Sequence, residues 1–272
     1  MWVCLLLPAV AAEAQDGDRL AHRYVSRTTS YGAGWTNVYD TYLSPQEYRG
    51  PEFRVMRETM RLVRWADGRV SVQNLFQAHL SYTENRAQTS GNLTAMACWN
   101  YGMHRQWRVG EHWKLLAGGA TELNGGLIYN LRNSNNPVSA KAYVGLVASG
   151  MAIGHFRVRH HPMTARYQVG IPLAGLQFSP DHQQSYYEIF TQGNAGKVVR
   201  FASVHNRPSL RQMVSLDVPV GLAQMRFSYV CDWQQSRVNG LRTHIYSHVF
   251  MLGFVKSLYR LRDKCPQPLP AY

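Results

Sequence analysis

The stretch Arg69-Val70-Ser71-Val72-Gln73-Asn74-Leu75-Phe76-Gln77-Ala78-His79-Leu80-Ser81-Tyr82-Thr83 decides the fold. Val70, Val72, Phe76, Ala78, Leu80 and Tyr82 form one side, and Arg69, Ser71, Gln73, Gln77, His79, Ser81 and Thr83 the other, with Leu75 the exception. Side chains of a strand point alternately to its two faces, so this period of two predicts a strand with one apolar and one polar face. The pattern returns at 93–103, where Leu93, Ala95, Ala97, Trp99, Tyr101 and Met103 oppose Asn92, Thr94, Asn100, His104 and Gln106. It returns again at 223–234, where Ala223, Met225, Phe227, Tyr229, Cys231 and Trp233 oppose Gln224, Arg226, Ser228, Asp232 and Gln234. Such runs exceed the usual globular strand. They match a strand that crosses a bilayer at a tilt, which needs roughly 9–11 residues.

The punctuation between the runs is regular. Ala66-Asp67-Gly68-Arg69, Val109-Gly110-Glu111-His112, Gly193-Asn194-Ala195-Gly196 and Pro219-Val220-Gly221 read as tight turns, because Gly and Asp supply the positive φ that hairpins require. Longer polar connections lie at 43–51, 84–91, 130–138 and 172–184. Short turns on one face and longer loops on the other are the habit of outer-membrane barrels. Segments beginning near Arg23, Phe53, Arg69, Asn92, Trp113, Ser139, Met163, Ser185, Lys197, Ser209, Leu222 and Leu241 predict an all-β chain. They would form a single antiparallel transmembrane β-barrel of about 12 strands, an even number that returns both termini to one side. A soluble lipocalin-like barrel or sandwich is the rival, with its aromatic residues inside. Against it, Trp65, Tyr82, Trp107, Trp113, Tyr129 and Tyr259 stand near segment ends, as in the aromatic girdles of a membrane barrel.

The rest of the composition fits this class. The 272 residues are 45% apolar, 12% aromatic and 17% charged, which excludes a disordered chain, and no uninterrupted apolar run reaches the length of a transmembrane helix. Residues 1–14, MWVCLLLPAVAAEA, read as a signal peptide ending in the small-residue triplet Ala12-Glu13-Ala14, leaving 15–272 as the barrel domain of a cell outer membrane. Cys98, Cys231 and Cys265 remain, an odd number without metal-binding or redox spacing. On the alternation Cys98 faces the lumen and Cys231 the lipid, so the two cannot pair.

The chain carries 29 Lys and Arg against 16 Asp and Glu, a formal charge of +13. These cations are scattered over the strands instead of clustered, which argues against nucleic acid. Arg54, Arg57, Glu58, Arg61 and Arg64 crowd one segment and break the clean alternation. Charges of this kind line a salt-bridged plug or a narrow anion-preferring pore, or meet acidic lipid headgroups at the rim. His155, His160 and His161 sit beside Arg157 and Arg159, which repel a cation, so no metal and no cofactor are expected.

Four further stretches are similar to an uncharacterised family of exported barrel proteins from Gram-negative anaerobes, a domain of unknown function. They are Gly34-Trp35-Thr36-Asn37-Val38-Tyr39-Asp40 to Pro45 with Glu47-Tyr48-Arg49-Gly50, Tyr129-Asn130 through Asn133-Ser134-Asn135-Asn136-Pro137, Pro172 to Phe190, and Asn206-Arg207-Pro208-Ser209. The resemblance implies an outer-membrane barrel and supplies no activity. The chain departs from the family at Asp181-His182, where a Tyr-Gly pair is usual.

Two sets of residues are candidates for function. His79-Leu80-Ser81 resembles the His-x-Ser of the outer-membrane phospholipase family and would make the chain a lipid hydrolase. The neighbours Tyr82-Thr83 depart from that family's pattern, and the alternation points both side chains inward. Asn133, Asn135 and Asn136, with Ser179 and His182, gather amide, hydroxyl and imidazole groups on two loops expected to project from the extracellular face. They suit ligand binding, or else they cap turns as Asn commonly does. The function classes are a small pore or transport channel, a structural or ligand-binding barrel, and an enzyme, in that order. The expected partners are outer-membrane lipid and the barrel-assembly machinery.

Overall fold

The structure is a computed structural model that describes residues 24–63, 69–134, 136–159, 161–181, 184–193, 196–220 and 223–259. The expected signal peptide lies outside the described residues, as do Trp65, Asn135, His160, His182 and Cys265. The strands are β1 (Tyr24–Asp40), β2 (Ser44–Leu62), β3 (Val70–Asn85), β4 (Gly91–Val109), β5 (Trp113–Asn130), β6 (Val138–Val158), β7 (His161–Phe178), β8 (Val199–Ser203), β9 (Leu210–Val220), β10 (Ala223–Val238) and β11 (Leu241–Tyr259). Among the described residues one short helix, α1 (Tyr186–Phe190), stands between β7 and β8.

Each strand pairs antiparallel with its neighbour, and β1 closes on β11 from Tyr24↔Tyr259 to Asp40↔Thr243. Ten strands close the barrel and one lies outside that count. The extra strand is β8, which shares a single edge of β7 with β9: Thr164 to Gly170 pair with Asp217 to Arg211, then Ala174 to Phe178 pair with Ser203 to Val199. Both run antiparallel to β7, so they occupy one place in the wall, interrupted by 204–209.

The expectation of about 12 strands is corrected on two counts. The segment at Ser185 is a helix, because Ser185 and Glu188 form a reciprocal capping box that satisfies the first free backbone N–H groups. The segments at Lys197 and Ser209 are two parts of one wall position. Parity survives, so Tyr24 and Tyr259 share one end with the links that follow β2, β4, β6 and β9, while the longest link, 179–198, lies with the short β1–β2 and β10–β11 turns at the other, far end.

Polarity is inverted relative to a water-soluble barrel. Ser71, Gln73, Gln77, His79, Ser81 and Thr83 are buried on the inside of β3, while Phe76, Leu80 and Tyr82 stand exposed outside. Along the wall Phe53, Leu93, Trp99, Leu123, Leu146, Leu176, Phe227, Phe250 and Phe254 continue the exposed apolar band. Trp107 and Trp113 mark its terminal edge, and Tyr82 and Tyr129 its far edge. A closed antiparallel wall leaves no edge unsatisfied, and an apolar outside with a polar inside is stable only when lipid surrounds it. Single-chain barrels of this build are outer-membrane proteins. The crowded charges of β2 keep the alternation after all, with Arg54 and Glu58 inside and Arg57 and Arg61 outside.

Candidate functional site

The inside of the barrel is packed. Arg54, fully buried, pairs with Glu52 at 2.7 Å and with Asp232 at 3.3 Å. Asp232 also receives Arg211 at 3.4 Å, and Arg211 reaches Glu122 at 3.2 Å, so one chain of charges joins β2, β10, β9 and β5. A second group centres on Glu58, which takes Arg166 at 2.6 Å and Arg226 at 2.7 Å, while Arg226 grips Asp217 at 2.6 Å. Between these layers Met56, Leu75, Met213, Val230, Val249 and Met251 form an apolar cluster. Leu75, the exception to the alternation, therefore points inward to fill it. Small cavities lie in the described lumen, among them one of about 40 Å³ and one of about 50 Å³.

The far mouth is closed by the chain itself. The Tyr42 hydroxyl, in the β1–β2 turn, donates to the Gln184 carbonyl at 2.9 Å. The Tyr186 hydroxyl accepts the Ala140 N–H of β6 at 2.6 Å. Tyr42 packs edge-on against Tyr186, which also stacks on Phe178. β1 and β6 are on opposite sides of the ten-strand wall, so this bridge crosses the opening. Below it Val38, Leu43, Met96, Ile128 and Ile245 form an apolar layer with Tyr42 against it. Burial first, then the charges of Tyr186, Asp40 and Glu188, push the Tyr42 phenol up to about 12. Tyr186 is likewise raised, chiefly by burial.

The larger cavity lies beneath this cover, lined by Asn124, Lys141, Tyr143, Gln177, Arg207 and Gln234 among others. Lys141 is held by Asp40 at 2.8 Å and Asn124 donates to Gln234 at 2.9 Å. The Arg207 guanidinium lies 3.6 Å from the centroid of the Tyr143 ring.

The expected site residues fall as follows. Asn133 donates from its amide N–H to the Asn130 side chain at 2.9 Å, and its own side chain accepts from the Asn136 N–H at 3.3 Å. This is turn chemistry, and it hangs on Asn130, whose side chain also accepts from the Arg132 N–H and donates to Asn92 and to the Tyr48 hydroxyl. Ser179 is buried and donates to the Val238 carbonyl at 3.4 Å, fastening the β7–β8 link to the β10–β11 turn. Asn135 and His182 lie outside the described residues. His79 and Ser81 both face the lumen, buried, and neither His79 Nε2 nor Ser81 Oγ has a hydrogen-bond partner. The structure thus brings Asn133 and Asn136 together and leaves His79 and Ser81 unlinked. Sequence reasoning did not single out Tyr143 or Arg207 as site residues. The stretch Asn206-Arg207-Pro208-Ser209 was the available signal, since an Arg in a short link follows no strand alternation.

A family model described as a protein of unknown function, DUF3316, matches residues 1–265. No curated protein matches the chain. Among solved structures, the outer membrane protease OmpT from Escherichia coli is similar at 6% identity and TM-score 0.46, over 87% of this chain and 97% of that one. The transport unit of the autotransporter AIDA-I from Escherichia coli gives 8% and 0.49, over 92% and 98%. The translocator domain of the autotransporter NalP from Neisseria meningitidis gives 12% and 0.42, over 93% and 97%.

Proposed function

Since the chain belongs to the DUF3316 family of proteins of unknown function, its work has to be read from the barrel itself, and we propose an outer-membrane barrel closed to ion flow that binds ligand at its far end. The observation that carries this reading is the luminal charge network, in which Arg54 is wholly buried between Glu52 and Asp232. An open pore keeps its charged lining in water, whereas these side chains have exchanged water for one another. The bridge from Tyr42 through Gln184 and Tyr186 to Ala140 supports closure a second time. Ordered, stiffened loops lower the cost of holding a ligand, and Asn130 and Ser179 provide that order here.

Lipid around the apolar band and the barrel-assembly machinery during insertion are the partners of this reading. Lipid hydrolysis by His79 and Ser81 is not part of it, because both side chains face away from the bilayer. The test is single-channel recording on the purified chain in planar bilayers. No discrete conductance is expected from the wild type. Steady open-channel current would overturn closure and restore the small pore.

A further inference from the structure

We propose that Arg207 is the anchor of an oxyanion site in the cavity beneath the far-end cover, taking the carboxylate or phosphate of a small soluble solute. The link 204–209 interrupts the wall between β8 and β9, which frees Arg207 from strand alternation and lets its side chain enter the lumen. The Arg207 N–H donates to the Ser203 carbonyl at 2.7 Å, which fixes the turn. Its guanidinium then lies on one face of Tyr143, at 3.6 Å from the ring centroid. The same ring leans over Gly145 and Gly175, where a Cβ would collide with it. The platform is therefore held by two glycines on one side and presents the cation on the other.

What sets Arg207 apart is that it has no ion pair of its own: Glu122, the carboxylate that acts on it through space, is already held by Arg211 at 3.2 Å. The luminal Arg54, Arg166, Arg211 and Arg226 each meet a carboxylate. Arg207 is 7% exposed, its Nη1 has no hydrogen-bond partner, and it forms no ion pair among the described residues. Burying a cation without a direct carboxylate contact is unfavourable, and a guanidinium edge is shaped to take a planar or tetrahedral oxyanion through two N–H groups. A second buried group without a partner lines the same cavity. Gln177 Nε2 donates to Ser236 at 3.0 Å while Gln177 Oε1 is left free to accept, as from a hydroxyl of the ligand.

Size limits the solute. The cavity measures about 50 Å³, and by that measure one water needs roughly 10–15 Å³, so a group of a few heavy atoms fits and a sugar or an acyl chain does not. Arg207 lines the lumen side of the wall, away from the bilayer, so the anion comes from solution under the far-end cover and not from a lipid headgroup. The site rests on the closed-barrel reading only for that route of entry.

Calorimetric titration of the full chain in uncharged detergent with inorganic phosphate and with acetate tests the site. Saturable one-site uptake of at least one anion is expected, weakened tenfold or more by Arg207→Gln and unchanged by Arg132→Gln on the same end. Uptake of neither anion, or equal affinity in Arg207→Gln, would overturn it. Should Arg207→Gln fail to form the barrel, Arg207→Lys carries the test, since an ammonium cannot lie flat on Tyr143; a tenfold loss supports the site and equal affinity overturns it. Phosphatidylglycerol vesicles should displace bound anion no better than phosphatidylcholine vesicles, and displacement by the anionic lipid alone overturns the soluble solute. A chain that stays non-conducting yet binds neither anion loses this site and keeps its closure.

Discussion

Arg226 on β10 and Glu58 on β2 meet inside the barrel at 2.7 Å, although 168 residues separate them. They are not wall neighbours, because β11 and β1 stand between their strands, so the pair ties one side of the lumen to another. Arg166 of β7 completes the junction from a third direction. Removing the shared carboxylate leaves two buried guanidinium groups facing each other. Glu58→Gln should therefore destabilise the barrel by about 3–5 kcal/mol, as breaking a buried pair does. Urea unfolding in lipid vesicles measures this. A loss under about 0.5 kcal/mol, the range of an unremarkable surface change, would show that water reaches the network.

Asn130 holds the β5–β6 loop more firmly than the asparagines after it. Its side chain accepts from two backbone N–H groups and donates to Asn92 and Tyr48. Asn130→Ala strips all of these and leaves buried partners unsatisfied, which should cost about 2–3 kcal/mol at about 1 kcal/mol per lost bond, discounted for water that enters. Asn133→Ala loses the bond from the Asn136 N–H and the weak 3.5 Å contact with the Leu43 carbonyl, and should cost less, about 1 kcal/mol. The same unfolding assay ranks the two variants, and the reverse order would remove Asn130 from the centre of the loop.

The wall was legible in the sequence because alternation is a local property. Gln77, His79 and Ser81 face inward and Phe76, Leu80 and Tyr82 outward, as period two requires. The strand count was not legible. Ser185 and Glu188 spell a helix start three residues apart, but the aromatic run Tyr186-Tyr187 carries equal strand propensity, and the capping box won. Nothing local reveals that β8 and β9 share one edge of β7, since that depends on a partner strand more than twenty residues away. The candidate site was still less visible. Arg54 and Glu58 looked like disorder in the pattern until their partners on β10 and β7 were in place. Arg207 sits in a link, where no periodicity assigns a face.

Cys98 and Cys231 lie on opposite sides of the wall. The Cys98 thiol is inside, where Arg211 donates to it at 3.6 Å, while Cys231 is paired in register with His248 on the outward side. Both are free thiols. Oxidation of the folded barrel should leave them unlinked in intact mass spectra, and the same treatment after denaturation should allow a link to form. A disulfide in the folded chain would mean that one strand is shifted by a single residue, which exchanges the faces of every side chain on it.

The far-end cover should open in alkali. The neutral Tyr42 phenol donates to the Gln184 carbonyl, and its ionisation is raised from 10.0 to about 12, by burial first and by neighbouring Tyr186, Asp40 and Glu188 after it. An uncovered phenol gives up its proton near 10, so between those values the closed form retains a proton that the open form has lost. Stability of the closed cover is then complete below about 10 and falls as pH rises toward about 12. Proteolysis within the 179–198 link, measured after brief incubation and return to neutral pH in the presence of protease, would miss a reversible opening. Hydrogen exchange of the Ala140 and Ile189 amides at each pH, corrected for intrinsic rate, reports it directly. Tyr42→Phe should lower protection by about 1 kcal/mol below pH 10 through the lost hydrogen bond, and it should flatten the alkaline fall because the raised Tyr42 ionisation is gone. Equal protection across that range in the wild type would separate the ionisation of Tyr42 from the cover.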